Sequence, residues 1–171
     1  IRPLLEAQSD IIADRHSPSI LRFVPKAWTV ASALTACPKE QWTKTSRNVI
    51  FEVKSFKDRD RILLSLILGP SDPVLRQYLF DSVRAESQTF VGANTVIGKS
   101  WVTIFARELL SDHAAENMEE EEKNIALKTY WEAFLRENLP KLTEAIDRIA
   151  AAAPPVTEPF ASSLFSINEA T

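Results

Sequence analysis

Between Asn48 and Leu68 the chain alternates, turns, and then becomes apolar on both faces, an order that commits it to an antiparallel hairpin. Val49, Phe51 and Val53 fall on one face of an extended segment, with Ile50, Glu52 and Lys54 on the other. That is the period of a half-buried strand. Lys57 to Asp60 is a polar turn of hairpin length. Arg61 to Leu68 then carries Ile62, Leu63, Leu64, Leu66, Ile67 and Leu68, which predicts a central strand covered twice. Gly69-Pro70 stops it, Asp72 suits an N-cap and Pro73 a first helical residue. Val74, Leu75, Tyr78, Leu79 and Val83 make one apolar stripe, so the helix that follows should pack on the sheet.

The flanks fit around this hairpin. Residues 3–15 have Leu4, Leu5, Ile11 and Ile12 near helical spacing and predict an amphipathic helix. Phe23 and Val24 read as extended, and Trp28 to Leu34 as either a short helix or a strand. Phe90-Val91-Gly92 opens a second extended region, and Trp101 to Phe105 alternates as a further strand. Glu119 to Glu122 begins a long helix, acids at its start suiting the helix dipole. Ile125, Leu127, Tyr130, Trp131, Phe134 and Leu135 are its expected buried face, and Pro140 opens a further helical segment through Ile149. The expected fold class is α+β: an antiparallel sheet of about four strands, helices packed on it, and a long C-terminal helix. Residues 1–153 are expected to form a single domain, with 154–171 a Pro-containing tail bearing Phe160, Leu164 and Phe165. The chain opens on Ile1 in helix-like sequence, so the expectation is the C-terminal part of a longer protein.

Composition excludes several classes. No apolar run approaches the roughly 20 residues of a membrane span, so no membrane partner is expected. A lone Cys37 forms no internal disulfide, and a reducing, cytoplasmic setting is the simplest reading. His16 and His113 have no ligand-like spacing, and there is no Gly-rich phosphate loop. A net charge of −3 rules out a global polycation, but the charge is uneven. Lys39, Lys44, Arg47, Lys54, Lys57, Arg59 and Arg61 outnumber the acids Glu40, Glu52, Asp58 and Asp60 around the hairpin. Glu108, Asp112, Glu116, Glu119, Glu120, Glu121 and Glu122 follow each other with no Lys or Arg between them. The basic hairpin suits phosphate contacts; the alternative is a solvated edge strand protected by its charges. Trp101 and Trp131 read as core, whereas Trp28 and Trp42 are either packed or surface stacking groups near the hairpin.

Glu52-Val53-Lys54 is the one constellation with chemical content. An acid and a lysine two apart on a strand point the same way, and metal-dependent nucleases use such a pair to hold Mg²⁺ and stabilise developing charge. A second acid on a neighbouring strand is required. Asp10 and Asp14 lie far upstream, Asp58 and Asp60 sit in the turn, and Asp72 is committed to capping. The same pair also occurs on ordinary strand faces, where cross-strand charges attract.

FVPKAW, RNVIFEVKSF, LLSLILGPSDPVLRQYLF, KSWVTIFARELL and YWEAFLRENLPKL, in that order, resemble the C-terminal half of bacterial PD-(D/E)XK nuclease-superfamily proteins. Pro25, Trp28, Gly69, Pro70, Asp72, Trp101, Trp131, Phe134, Leu139 and Pro140 carry the likeness across roughly residues 20–148. Ser71 departs from it, standing where a second turn glycine is usual. The resemblance implies a catalytic strand upstream of this region, in an N-terminal nuclease core of the same protein, and a prokaryotic or phage DNA-processing or defence context.

The leading expectation is therefore a non-catalytic accessory domain that positions nucleic acid or a partner, with Lys54, Lys57, Arg59 and Arg61 on phosphates and no bound cofactor. One alternative is a self-contained nuclease using Glu52 and Lys54, with Mg²⁺ held by Glu52. The other is a protein-interaction module working through the apolar tail.

Overall fold

The computed structural model describes residues 2–29, 32–34, 43–56 and 59–155. Five strands run β1 (Ile11–Ala13), β2 (Ile20–Pro25), β3 (Val49–Ser55), β4 (Ile62–Leu68) and β5 (Val102–Leu110). They lie side by side in chain order, every neighbour antiparallel. The helices are α1 (Arg2–Glu6), α2 (Pro73–Ala85), α3 (Asp112–Ala115), α4 (Glu120–Ala133) and α5 (Leu139–Ala151). The fold is α+β, as the alternation and the helical stripes require.

The hairpin forms as its pattern dictates. Ser55 faces Ile62 across the ladder, and Phe56 N donates to Arg61 O at 3.2 Å to close the turn. Leu64, Leu66 and Leu68 are fully buried and Ile67 nearly so, which makes β4 a strand covered on both faces from Leu64 onward. Because β3 lies between β2 and β4, the hairpin is interior to the sheet, and the edge-strand reading of its charges is wrong.

One face of the sheet holds an aromatic core. Phe23 stacks on Phe51 at 5.0 Å, Trp28 stacks on Phe51 at 5.5 Å, and Trp131 and Phe134 meet them edge-on. Trp28 is fully buried there, so it is not a surface stacking group. Alternation along β3 turns Glu52 and Lys54 away from this core. The α4 stripe is Leu127, Trp131 and Phe134; Ile125 and Tyr130, expected in it, point outward because their helical angles fall off that line. On α2 the stripe is Leu75, Leu79, Phe80 and Val83, and Val74 is exposed for the same reason. Asp72 caps α2 as expected, its Oδ1 accepting from the N–H groups of Val74 and Leu75 at 2.9 and 3.0 Å.

Other segments depart from their local periodicity or resolve what it left open. The expected helix over residues 3–15 is a single short helix followed by β1, because Ile11–Ala13 gains a ladder against Phe23–Pro25 that a lone short helix cannot match. Of the stretch from Trp28 to Leu34, the described residues lie in 3₁₀ turns, Lys26–Thr29 and Ser32–Leu34. Residues 90–94 form no strand, although Val91 O accepts from Ala106 N and Asn94 N donates to Thr103 O along β5. Trp101 sits just before β5 and is 56% exposed rather than core. Irregular register between Leu66 and Ile67 skips Ile104, so Ile104 and Phe105 are both buried and strict alternation fails.

Between α4 and α5 the helix continues through a π turn, Phe134–Asn138, where Leu139 N donates to Phe134 O. Pro140 follows this widened turn, which gives its ring room without ending the helix.

Candidate nucleic-acid interface

Glu52 sits mid-strand, directly opposite Arg22 on β2 and Ser65 on β4. Its Oε2 accepts from Arg22 Nε at 2.8 Å, and the two side chains are only 12% and 21% exposed. One strand further across, Ser65 faces Ala106. The positions directly opposite Glu52 on its two neighbouring strands are thus occupied by arginine and serine, and the next position across by alanine.

Of the other acids weighed from the sequence, Asp58 lies outside the described residues, and Asp10, Asp14, Asp60 and Asp72 have partners. Asp14 is buried and accepts from Thr45 Oγ1 at 2.7 Å and from the N–H groups of Arg15, Lys44 and Thr45. Burial pushes its carboxyl up, and those four donors outweigh burial to hold it below the ordinary carboxylate value. Asp60 takes Lys123 Nζ at 2.7 Å, which raises that ammonium above its usual value. Among the described residues no three His, Cys, Asp or Glu side chains gather as a metal needs. A Mg²⁺ ion does not fit Glu52 and its neighbours as they stand.

Lys54 points from the same face as Glu52 but stands nearer the hairpin end, exposed, with Nζ 5.0 Å from the Phe56 ring centre. Arg61 approaches that ring at 5.3 Å and pairs with Glu108 through Nε at 2.6 Å. Arg59, 64% exposed, reaches Asp112 only at 4.0 Å. Lys54 and Arg61 therefore flank a single aromatic ring at one end of the sheet, a cation–aromatic cluster, and the Arg59 backbone N–H donates to Phe56 O at 3.2 Å at the same hairpin end. Lys57 lies outside the described residues, as do Cys37, Trp42 and the tail residues Phe160, Leu164 and Phe165.

Beside this cluster lies a cleft of about 260 Å³, walled by Phe56, Arg59, Arg61, Leu110, Lys123 and Asn124 among others. It brings the start of α4 against the hairpin. Two features here escape sequence reasoning. Arg22 as the partner of Glu52 is hinted at only by its alternation with Leu21 and Phe23. The meeting of the acidic run with the basic hairpin has no local signal at all, because it depends on how β5 returns.

A scan against protein-family models, curated proteins and solved structures finds no match to this chain. Among the described residues no helix is long and apolar enough to cross a membrane.

Proposed function

We propose that this chain is a non-catalytic accessory domain of a nuclease-like DNA-processing or defence protein, and that the β3–β4 hairpin end is its contact with nucleic acid. The observation that carries the reading is the convergence of Lys54 and Arg61 on Phe56, with Arg59 lining the same cleft. Cations around an aromatic ring suit phosphate oxygens and an unstacked base without demanding sequence. The closed Arg22–Glu52 pair supports binding over cleavage, since a carboxylate already neutralised by a guanidinium is a poor metal ligand. The alternative interaction module would act through tail residues Phe160, Leu164 and Phe165.

The test is fluorescence anisotropy of a labelled DNA across a salt series, comparing the wild type with a Lys54→Glu/Arg59→Glu variant. Each duplex phosphate neutralised contributes about 0.9 to the slope of log affinity against log salt. Loss of both cations should flatten that slope by about 2. A variant with the wild-type slope would remove the hairpin from the interface.

A further inference from the structure

We infer that the acidic segment from Glu108 to Glu122 is an intramolecular competitor for the hairpin, occupying in the resting fold the cations that phosphate would take. The inference rests on the nucleic-acid reading above. Its own evidence is where the two charged stretches meet. Glu108 and Arg61 are 47 residues apart in the chain, yet Glu108 Oε1 accepts from Arg61 Nε at 2.6 Å. Asp112 Oδ2 stands 4.0 Å from Arg59 Nη1, and Arg59 and Asp60 share one open groove with Asp112, His113 and Glu116. From the other side, Lys123 of α4 holds Asp60 at 2.7 Å and tethers the helix start to the hairpin.

Two of these carboxylates, Glu108 and Asp112, face hairpin arginines. No Lys or Arg lies between Glu108 and Glu122. Glu119 and Glu122 are spent on the α4 capping box, with Glu119 N donating to Glu122 Oε2 at 2.9 Å. Of the others, Glu108 and Asp112 approach the arginines directly, Glu120 lines the cleft with Arg59 and Arg61, and Glu116 lines the Arg59 groove while standing 3.7 Å from His113 Nδ1. A carboxylate offers a guanidinium the same paired oxygens that a phosphate does. Asp112 is 47% and Arg59 64% exposed, and ion pairs this open are weak enough for a polyanion to displace. The resting fold therefore lowers the affinity for nucleic acid without abolishing it. Anything that draws the acidic segment away would raise that affinity.

The experiment compares four proteins on the same labelled duplex at low salt, each checked for folding by circular dichroism. They are the wild type, Glu108→Gln/Asp112→Asn/Glu116→Gln, the same triple variant carrying Lys54→Glu/Arg59→Glu, and a charge-matched control, Asp81→Asn/Glu132→Gln/Glu144→Gln. The triple variant is expected to bind about tenfold tighter than the wild type. The control should gain much less, and the hairpin reversal should erase the gain. If the full triple variant fails to fold, Asp112→Asn/Glu116→Gln, which keeps the close Arg61–Glu108 pair, is expected to show the same direction. Equal binding by wild type and triple variant, both hairpin-dependent, would overturn the competitor and leave the nucleic-acid reading intact. A gain that survives hairpin reversal, or that the control matches, would reduce it to net charge. No binding by any of the four would remove both readings.

Discussion

The Arg22–Glu52 pair is where structure and chemistry give opposite predictions for one side chain. At 2.8 Å and an effective dielectric of about 20, the Coulomb attraction is about 6 kcal/mol. Desolvating two side chains that are 21% and 12% exposed, and fixing a long arginine, offsets most of that. A charge-assisted hydrogen bond typically leaves a net of about 1.5–3 kcal/mol. Both partners are more buried than the exposed pairs that contribute almost nothing. A double-mutant cycle with Glu52→Gln and Arg22→Met, which keep side-chain bulk, should therefore give a coupling energy of about 1.5 kcal/mol. Each single variant should lose about 2 kcal/mol, since each leaves its partner largely buried and unmatched. The assay is urea unfolding of the four proteins with a shared slope. A coupling below about 0.5 kcal/mol would refute the claim that Glu52 is a structural member of the sheet. A Glu52→Gln variant more stable than the wild type would refute it more sharply, because functional carboxylates are commonly held at a cost to stability.

Three further outcomes follow from the fold. Asp14→Asn should destabilise the protein by about 2–3 kcal/mol by turning an amide N–H toward backbone donors, measured by urea unfolding. Because the folded carboxyl of Asp14 titrates below its unfolded value, its contribution is present above about pH 4 and is lost as pH falls through the folded value; Asp14→Asn should flatten that acid limb. Gly92 has φ +74°, and a Cβ there would stand 2.7 Å from Ala106 O. Gly92→Ala should therefore cost about 1–3 kcal/mol, read as a lower melting temperature. Trp131→Ala removes a fully buried ring in contact with Phe23 and Phe134 and should cost about 3–5 kcal/mol, with Trp131→Phe costing clearly less.

What the sequence makes legible here is what local periodicity encodes. The β3–β4 hairpin, the capped α2 and the long C-terminal helix each announce themselves within a short window, through alternation, Asp72-Pro73 and the Leu127–Trp131–Phe134 spacing. What stays hidden depends on distant partners. Ile11–Ala13 is a strand only because Phe23–Pro25 lies beside it. Trp101 reads as core by alternation, but β5 starts after it and its register skips Ile104. The Glu-x-Lys spacing of Glu52 and Lys54 is visible in the chain, whereas its meaning depends on Arg22, Ser65 and Ala106, contributed by three other strands. The contact of Glu108 with Arg61 is equally invisible, since charge runs in a sequence do not say what they will face.

The most direct test of the account is a single gel series in which the wild-type chain is incubated with single- and double-stranded DNA in Mg²⁺ and in Mn²⁺. The account predicts retarded DNA of full length, with the retardation fading as salt rises. Metal-dependent cleavage that disappears in Glu52→Ala would contradict it, and would make the carboxylate held by Arg22 a catalytic one.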